Sequence, residues 1–197
     1  MNDGGRTGGP RADSPSALLL RDFVNTLDVE CATDAIDTPP RLAEWLAARS
    51  LVPRRTAAEK VDVTTAAALR EGLRAAMLGH HGPDASAMPA ELEGALERLP
   101  LRLALIEGRP SLVPHGTGAA AGLARVAAAV MESVADGTWT RLKVCQESTC
   151  LWAFLDTSKN RSRSWCSMSV CGNRTKTRTY RARRRTAPQG DGLQDTP

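Results

Sequence analysis

The chain has 197 residues, with 26 Lys and Arg against 22 Asp and Glu for a net charge of +4, and 42% of it is hydrophobic but only 4% aromatic. That supplies one ordinary domain, or a domain with a small appendage, around an aliphatic core. No apolar run approaches the ~20 residues of a membrane-spanning helix. The Gly- and Pro-rich opening MNDGGRTGGPRADSP has no apolar centre and does not read as a secretory signal, so no membrane partner and a cytoplasmic location are expected.

Residues 1–14 read as a disordered lead-in. A helix is predicted from Pro15 to about Leu27, capped by Ser14, with Leu20, Phe23, Val24 and Leu27 along one stripe. Thr38-Pro39-Pro40 breaks the chain, and a short helix from Pro40 to Arg49 buries Leu42, Trp45 and Leu46. A long alanine-rich helix follows from about Thr56 to Leu78, with Val61, Leu69, Leu73 and Met77 inward. The segment Gly79-His80-His81-Gly82-Pro83 reads as a surface loop, with its adjacent histidines facing different ways. Another helix runs from Pro89 to Leu99 through Leu92, Ala95, Leu96 and Leu99.

At Pro100 the period changes. Leu101, Leu103 and Leu105 alternate with Arg102, Ala104 and Ile106, as a short strand does, and Gly108-Arg109-Pro110 turns it into a second strand through Leu112 and Val113. A final helix from Gly118 to Ala135 carries Leu123, Val126, Val130 and Val134, and Gly137 stops it. The body, residues 15–140, is therefore mainly α with a minor β-hairpin, an α+β arrangement. Residues 186–197 read as a flexible tail.

Cysteine and charge are both lopsided. Cys31 stands alone, while the other four fall as Cys145-x4-Cys150, fifteen residues, then Cys166-x4-Cys171. Two close pairs joined by a short stretch are what a tetrahedral four-thiolate zinc site asks of a chain, and four thiolates leave no open coordination position. One structural Zn2+ is expected on Cys145, Cys150, Cys166 and Cys171. The bland alternative is four incidental buried thiols. The intervening LWAFLDTSKNRSRSW fits a hairpin with Trp152 and Phe154 on one face and a turn at Ser158-Lys159-Asn160.

Between Lys159 and Arg185 stand ten cations and no acid. The other 16 cations face all 22 acids, so an acidic body carries a basic end, the electrostatic mark of a polyanion-binding segment. From Gly172 to Arg185 the spacing is helical, and Arg174, Arg178, Arg181 and Arg185 share one face, with Lys176 and Arg183 on a neighbouring strip. Fourteen helical residues extend ~21 Å. Arg161 and Arg163 add to the same surface. These eight cations are the candidate nucleic-acid contacts, since guanidinium forks grip phosphates and also read guanine edges. The competing reading is a solvated basic tail. The face lacks the apolar stripe of a membrane-surface helix.

The run FLDTSKNRSRSWCSMSVCGNR followed by TKTRTYRARRR resembles the CGNR zinc-finger family of bacterial proteins, named for the run seen here as Cys171-Gly172-Asn173-Arg174. The run Asp22-Phe23-Val24-Asn25-Thr26 is similar to the start of the helical ABATE domain that precedes the finger in such proteins. The resemblance implies a transcription regulator with residues 141–185 as a small treble-clef or ribbon-like zinc module ending in the basic helix. The chain departs from the family's habit at Ser164, where a cation is usual, and at Leu151, where Gly is frequent. Its implied partner is nucleic acid, DNA favoured over RNA.

Asn25 and Thr26 of the shared run are candidate lining for a ligand pocket, though a solvated helix face or an internal hydrogen bond explains them as readily. A small-molecule effector and homodimerisation stay open at this level. His115 is isolated beside Pro114, and no Ser-His-Asp set, phosphate loop or dinucleotide fingerprint stands out, so catalysis has no candidate. An enzyme using the zinc module only as scaffold remains the third reading.

Overall fold

The computed structural model describes residues 14–82 and 88–186, with the side chains of Arg185 and Thr186 excepted. The expected lead-in before Ser14, Pro83 of the predicted loop and the tail beyond Thr186 lie outside the described residues. In chain order the elements are α1 (Pro15–Val24), β1 (Leu27–Asp28), β2 (Thr33–Asp34), α2 (Pro39–Ala48), α3 (Lys60–Gly79), α4 (Ala90–Leu96), β3 (Leu101–Ile106), β4 (Arg109–Pro114), α5 (Gly118–Ala135), β5 (Leu142–Val144), β6 (Ala153–Leu155) and α6 (Asn173–Thr186). The fold is mostly helical, and among the described residues three small sheets are each one antiparallel pair.

The periodicity placed the helices well, and the differences have local causes. Helix α1 stops at Val24, three residues early, because Thr26 turns its hydroxyl onto the Phe23 carbonyl at 2.7 Å. Leu27 then pairs with Asp34 in β1–β2 instead of extending the helix. Helix α3 starts at Lys60, where the Asp62 carboxylate accepts from the Glu59 amide at 2.8 Å. Val61 thus falls in the first turn, beyond the core, and is exposed. Val134 is likewise exposed, near the α5 terminus. The expected β3–β4 hairpin forms, Leu101 opposite Pro114 through Ile106 opposite Arg109, with the turn at Glu107-Gly108 and so ahead of Arg109 and Pro110, which already belong to β4.

Helices α1, α2, α3 and α5 surround one apolar core, with Leu20, Phe23, Leu42, Leu46, Leu69, Leu73, Met77, Leu123 and Val126 fully buried. Helix α5 is long and apolar enough to cross a membrane by length and composition alone. Its packing against α1, α2, α3 and β4 accounts for that character. Its end is tied to the start of α1, where Ser14 caps the helix and donates to Asp136 at 2.6 Å. Gly72 marks the tightest approach in the body: a Cβ there would stand 2.5 Å from the Leu92 Cα of α4, so only glycine admits this contact.

The same core includes Leu142, Val144 and Ala153 of the β5–β6 hairpin. The hairpin nearest the cysteines therefore rests on the body as part of its interior.

Candidate metal centre and basic helix

The β5–β6 hairpin presents the first cysteine pair. Leu142 pairs with Leu155 and Val144 with Ala153, so residues 145–152 form the connecting loop. This corrects the hairpin expected within residues 151–165: that segment supplies only β6, whose partner lies before Cys145. The Ser158–Arg161 turn does form, with the Arg161 amide donating to the Ser158 carbonyl at 3.3 Å, but no strand returns from it.

Inside the loop, the amides of Cys150 and Leu151 both donate to the Glu147 carbonyl, at 2.9 and 3.2 Å. Closing so tight a turn puts Leu151 at φ +51°, in the left-handed region that favours glycine. Arg74 of α3 holds this residue by donating to its carbonyl at 2.7 Å. Cys166 lies in the loop after β6. Cys171 lies in the wide turn Met168–Gly172 that leads into α6.

The four sulfurs come together from these separate places, every pair within 4.8 Å. Cys166 Sγ stands 3.7 Å from both Cys150 Sγ and Cys171 Sγ. A tetrahedron of thiolates with Zn–S of about 2.3 Å has edges of about 3.8 Å, whereas a disulfide requires about 2.05 Å. Burial and the neighbouring sulfurs push the Cys171 thiol up to about 11 and Cys166 further still. Four sulfurs packed this closely carry negative charge together only around a cation. The arrangement is that of one structural zinc, with Trp165 packed against the sulfurs.

Two buried acids organise the module, and sequence reasoning missed both. Asp156, fully buried, accepts from Lys143 Nζ, the amides of Ser158 and Arg163, and the Ser158 hydroxyl, at 2.6–3.0 Å. Burial alone would raise its carboxyl, but these donors outweigh it and hold it at about 2. Glu147, in the Cys145–Cys150 loop, accepts from Thr175 at 2.8 Å and from Arg178, both on α6. The Arg178 guanidinium, opposed by burial, keeps its carboxyl below the usual range. The lone acid between two cysteines of a presumed metal loop was the available signal for Glu147.

The predicted cations divide accordingly. Arg178 binds Glu147, and Arg174 binds Glu30, in the β1–β2 connection, at 2.9 Å and Thr149 at 3.3 Å. Arg163 stacks 4.9 Å over Phe154 and donates to the Cys166 carbonyl at 2.8 Å. Arg161 is exposed at its turn. Lys176, Arg181 and Arg183 are exposed on α6, as are Tyr180 and Arg184; the Arg185 side chain lies outside the described residues. Helical geometry puts Lys176, Tyr180, Arg183 and Arg184 on the side of α6 away from Thr175 and Arg178.

The body grips the hairpin by both edges. In an antiparallel pair, alternate residues turn their amides and carbonyls outward, and those groups find side chains here. The Asn25 amide donates to the Ala153 carbonyl at 2.9 Å, and its oxygen accepts from the Ala153 amide at 2.7 Å. His80 Nδ1 lies 2.6 Å from the Leu142 carbonyl, and His81 Nε2 lies 2.7 Å from that of Val144. The histidines expected in a surface loop thus share one strand edge, with His80 buried edge-on against Trp139, ring centres 4.9 Å apart. Thr26 is buried and accepts from Arg70, which also clamps Asp34 through both fork nitrogens at 2.7–2.8 Å. Cys31 is exposed in the β1–β2 connection, away from the cluster.

Residues 141–184 match the CGNR zinc finger. Residues 18–137, more than half of the chain, match the ABATE family, described as a putative stress-induced transcription regulator. Comparison with curated proteins gave no match. A helical body that seizes the finger's hairpin and four sulfurs spaced for one zinc agree with both matches: the chain belongs to the ABATE family and ends in a CGNR zinc finger.

Proposed function

We propose that this protein is a cytoplasmic DNA-binding transcription regulator whose zinc site serves to aim α6 at the nucleic-acid backbone. The supporting observation is the division of cations on that helix. Arg174 and Arg178 are spent on Glu30 and Glu147, while Lys176, Arg181 and Arg184 are exposed on a helix without one acid. A helix held at its base by a metal and two ion pairs presents phosphate-binding groups with little freedom left to lose on binding.

The test is binding of the zinc-loaded full chain to duplex DNA across a salt series, with Lys176, Arg181 and Arg184 changed together to Gln. Each phosphate contact removed lowers the slope of log K against log salt by about 0.9. The triple variant should lose about 2.7 of slope, and an unchanged slope refutes the assignment. Single-stranded RNA is the second reading, favoured by Tyr180, which is 61% exposed with the Arg184 guanidinium 5.9 Å from its ring. Such a pair forms a stacking platform for an unpaired base. Tighter binding of RNA than of duplex, lost in Tyr180→Ala, would decide for it.

A further inference from the structure

Between the body and the zinc module lies a cleft of about 690 Å3 whose walls include Arg21, Trp45, Arg49, Trp152, Phe154 and Thr157. Its size falls within the 300–1,000 Å3 range of small-molecule sites, and domain junctions are a common place for them. Asn25 and Thr26 also line it, yet both polar atoms of Asn25 are engaged by Ala153 and the Thr26 hydroxyl is held by Phe23 and Arg70. They form its frame, and recognition falls to the other residues.

The charges are specific. Arg21 is neutralised by Asp22 at 2.7 Å. Arg49 is exposed, stands over the Trp45 ring at 3.9 Å, and makes no ion pair among the described residues. Its hydrogen bond is a long one, 3.5 Å to the Trp45 carbonyl, and the Asp22 carboxylate acts on it through space. The cleft therefore holds two guanidinium groups against the single Asp22 carboxylate, an excess of one positive charge. A second negative charge on a ligand would instead confront the Asp22 carboxylate. The same cleft is lined by Trp152, 37% exposed, which offers an aromatic surface, and by Thr157, whose hydroxyl is a donor.

We infer that this cleft is a binding site for a small aromatic monocarboxylate, its carboxylate on the Arg49 fork and its ring against Trp152. A planar guanidinium suits a carboxylate bidentately, and an ion paired in a half-buried cleft is held more strongly than in open water. The site is independent of what α6 binds, because none of these residues lies on that helix.

The experiment titrates the zinc-loaded full chain with 2-naphthoate, 2-naphthamide and 2-naphthyl phosphate, following tryptophan emission and heat of binding. A saturable change with the carboxylate is expected. The neutral amide, the dianionic phosphate, and the carboxylate on Arg49→Gln should each bind about ten-fold more weakly. Trp152→Leu should weaken the carboxylate as well, with zinc content and unfolding midpoint of both variants reporting an intact fold. No saturable signal, or an Arg49→Gln affinity equal to that of the unaltered chain, overturns the site. An amide that binds as tightly as the carboxylate, or a phosphate that binds more tightly, overturns the monoanion assignment. Loss of nucleic-acid binding without loss of naphthoate binding would strike only the reading of α6.

Discussion

Replacing Asn25 by Ala tests whether the body holds the zinc finger by hydrogen bonding to a strand edge. Ala153 is fully buried, and its amide and carbonyl both point away from β5 to the Asn25 side chain, at 2.7 and 2.9 Å. Truncation leaves two main-chain groups without partners, each costing about 1–3 kcal/mol. Because Asn25 also borders the cleft, water can reach part of the vacated space, which moves the sum to the low end, about 2–3 kcal/mol. Equilibrium urea unfolding of the zinc-loaded chain, followed by far-ultraviolet circular dichroism, should show that loss as a lower midpoint at constant slope. Asn25→Asp separates bonding from shape. It matches asparagine in size and keeps an acceptor for the Ala153 amide, but sets a second oxygen against the Ala153 carbonyl, so at neutral pH it should be no more stable than the alanine variant. A cost below about 0.5 kcal/mol for alanine, or a wild-type midpoint for Asp beside a destabilised Ala, refutes the strand-edge account.

Four further outcomes follow from the same geometry. Burial, offset in part by the Leu142 and Val144 carbonyls and reinforced by Lys143, lowers the pKa of His80 and His81 in the fold. The unfolded chain therefore takes up more protons below its ordinary value of 6.5. Stability should be complete above that pH and fall as pH drops below it, less steeply in His80→Asn, measured as midpoint against pH. Chelating the metal, or Cys150→Ser, should lower the melting temperature of the whole chain and not only remove a local transition, because Leu142, Val144 and Ala153 belong to the body's core. Two separate calorimetric transitions after chelation, one at the original temperature, would count against a shared core. Gly72→Ala pushes a methyl group against the Leu92 backbone and should cost about 1–3 kcal/mol in the same urea assay. Glu30→Gln frees Arg174 from its only ion pair among the described residues and should raise the salt slope of DNA binding by up to about 0.9 if that cation then meets a phosphate.

What the sequence disclosed and what it withheld separate along a physical line. Periodicity reports on faces, so helices α1 to α5 and buried residues such as Leu20, Trp45 and Leu73 were legible without knowing what they face. Cysteine spacing reports on a local chelate, so the four ligands were legible too. Strand β5, three residues reading Leu-Lys-Val, is too short to stand out, so the partner of β6 was sought after the Ser158 turn and not before Cys145. Side chains that bind distant main chain leave no pattern at all. Asn25, Arg74 and His80 look like solvated polar residues until Ala153, Leu151 and Leu142, from 62 to 128 positions away, are brought beside them. Arg70 and Arg74 are the same lesson in charge: two cations that no apolar pattern marks are buried, where they donate to Asp34, Thr26, Val24 and Leu151.

The arginines of α6 carry that reasoning to the functional surface. A helix leaving a metal site has its first turn fixed by Cys171, but one ligand still lets the axis swing. Glu147, clasped between the cysteine loop and Thr175 and Arg178, adds a second constraint one turn further on. Glu30, reaching from the body to Arg174, adds a third that crosses between the two matched regions. Three constraints on one side of the helix determine both its direction and its rotation, and so which strip faces outward. Conservative sequence logic would treat every arginine here as interchangeable positive charge. The geometry makes Arg174 and Arg178 positioning residues: their loss should swing the helix and weaken binding of every sequence, even though neither is the group assigned to meet phosphate. Arg178→Lys keeps the charge but gives up the planar fork. If charge alone matters, it binds like the unaltered chain. If orientation matters, its affinity falls even though the charge a phosphate would meet is still there, and an affinity equal to that of the unaltered chain would refute the positioning role.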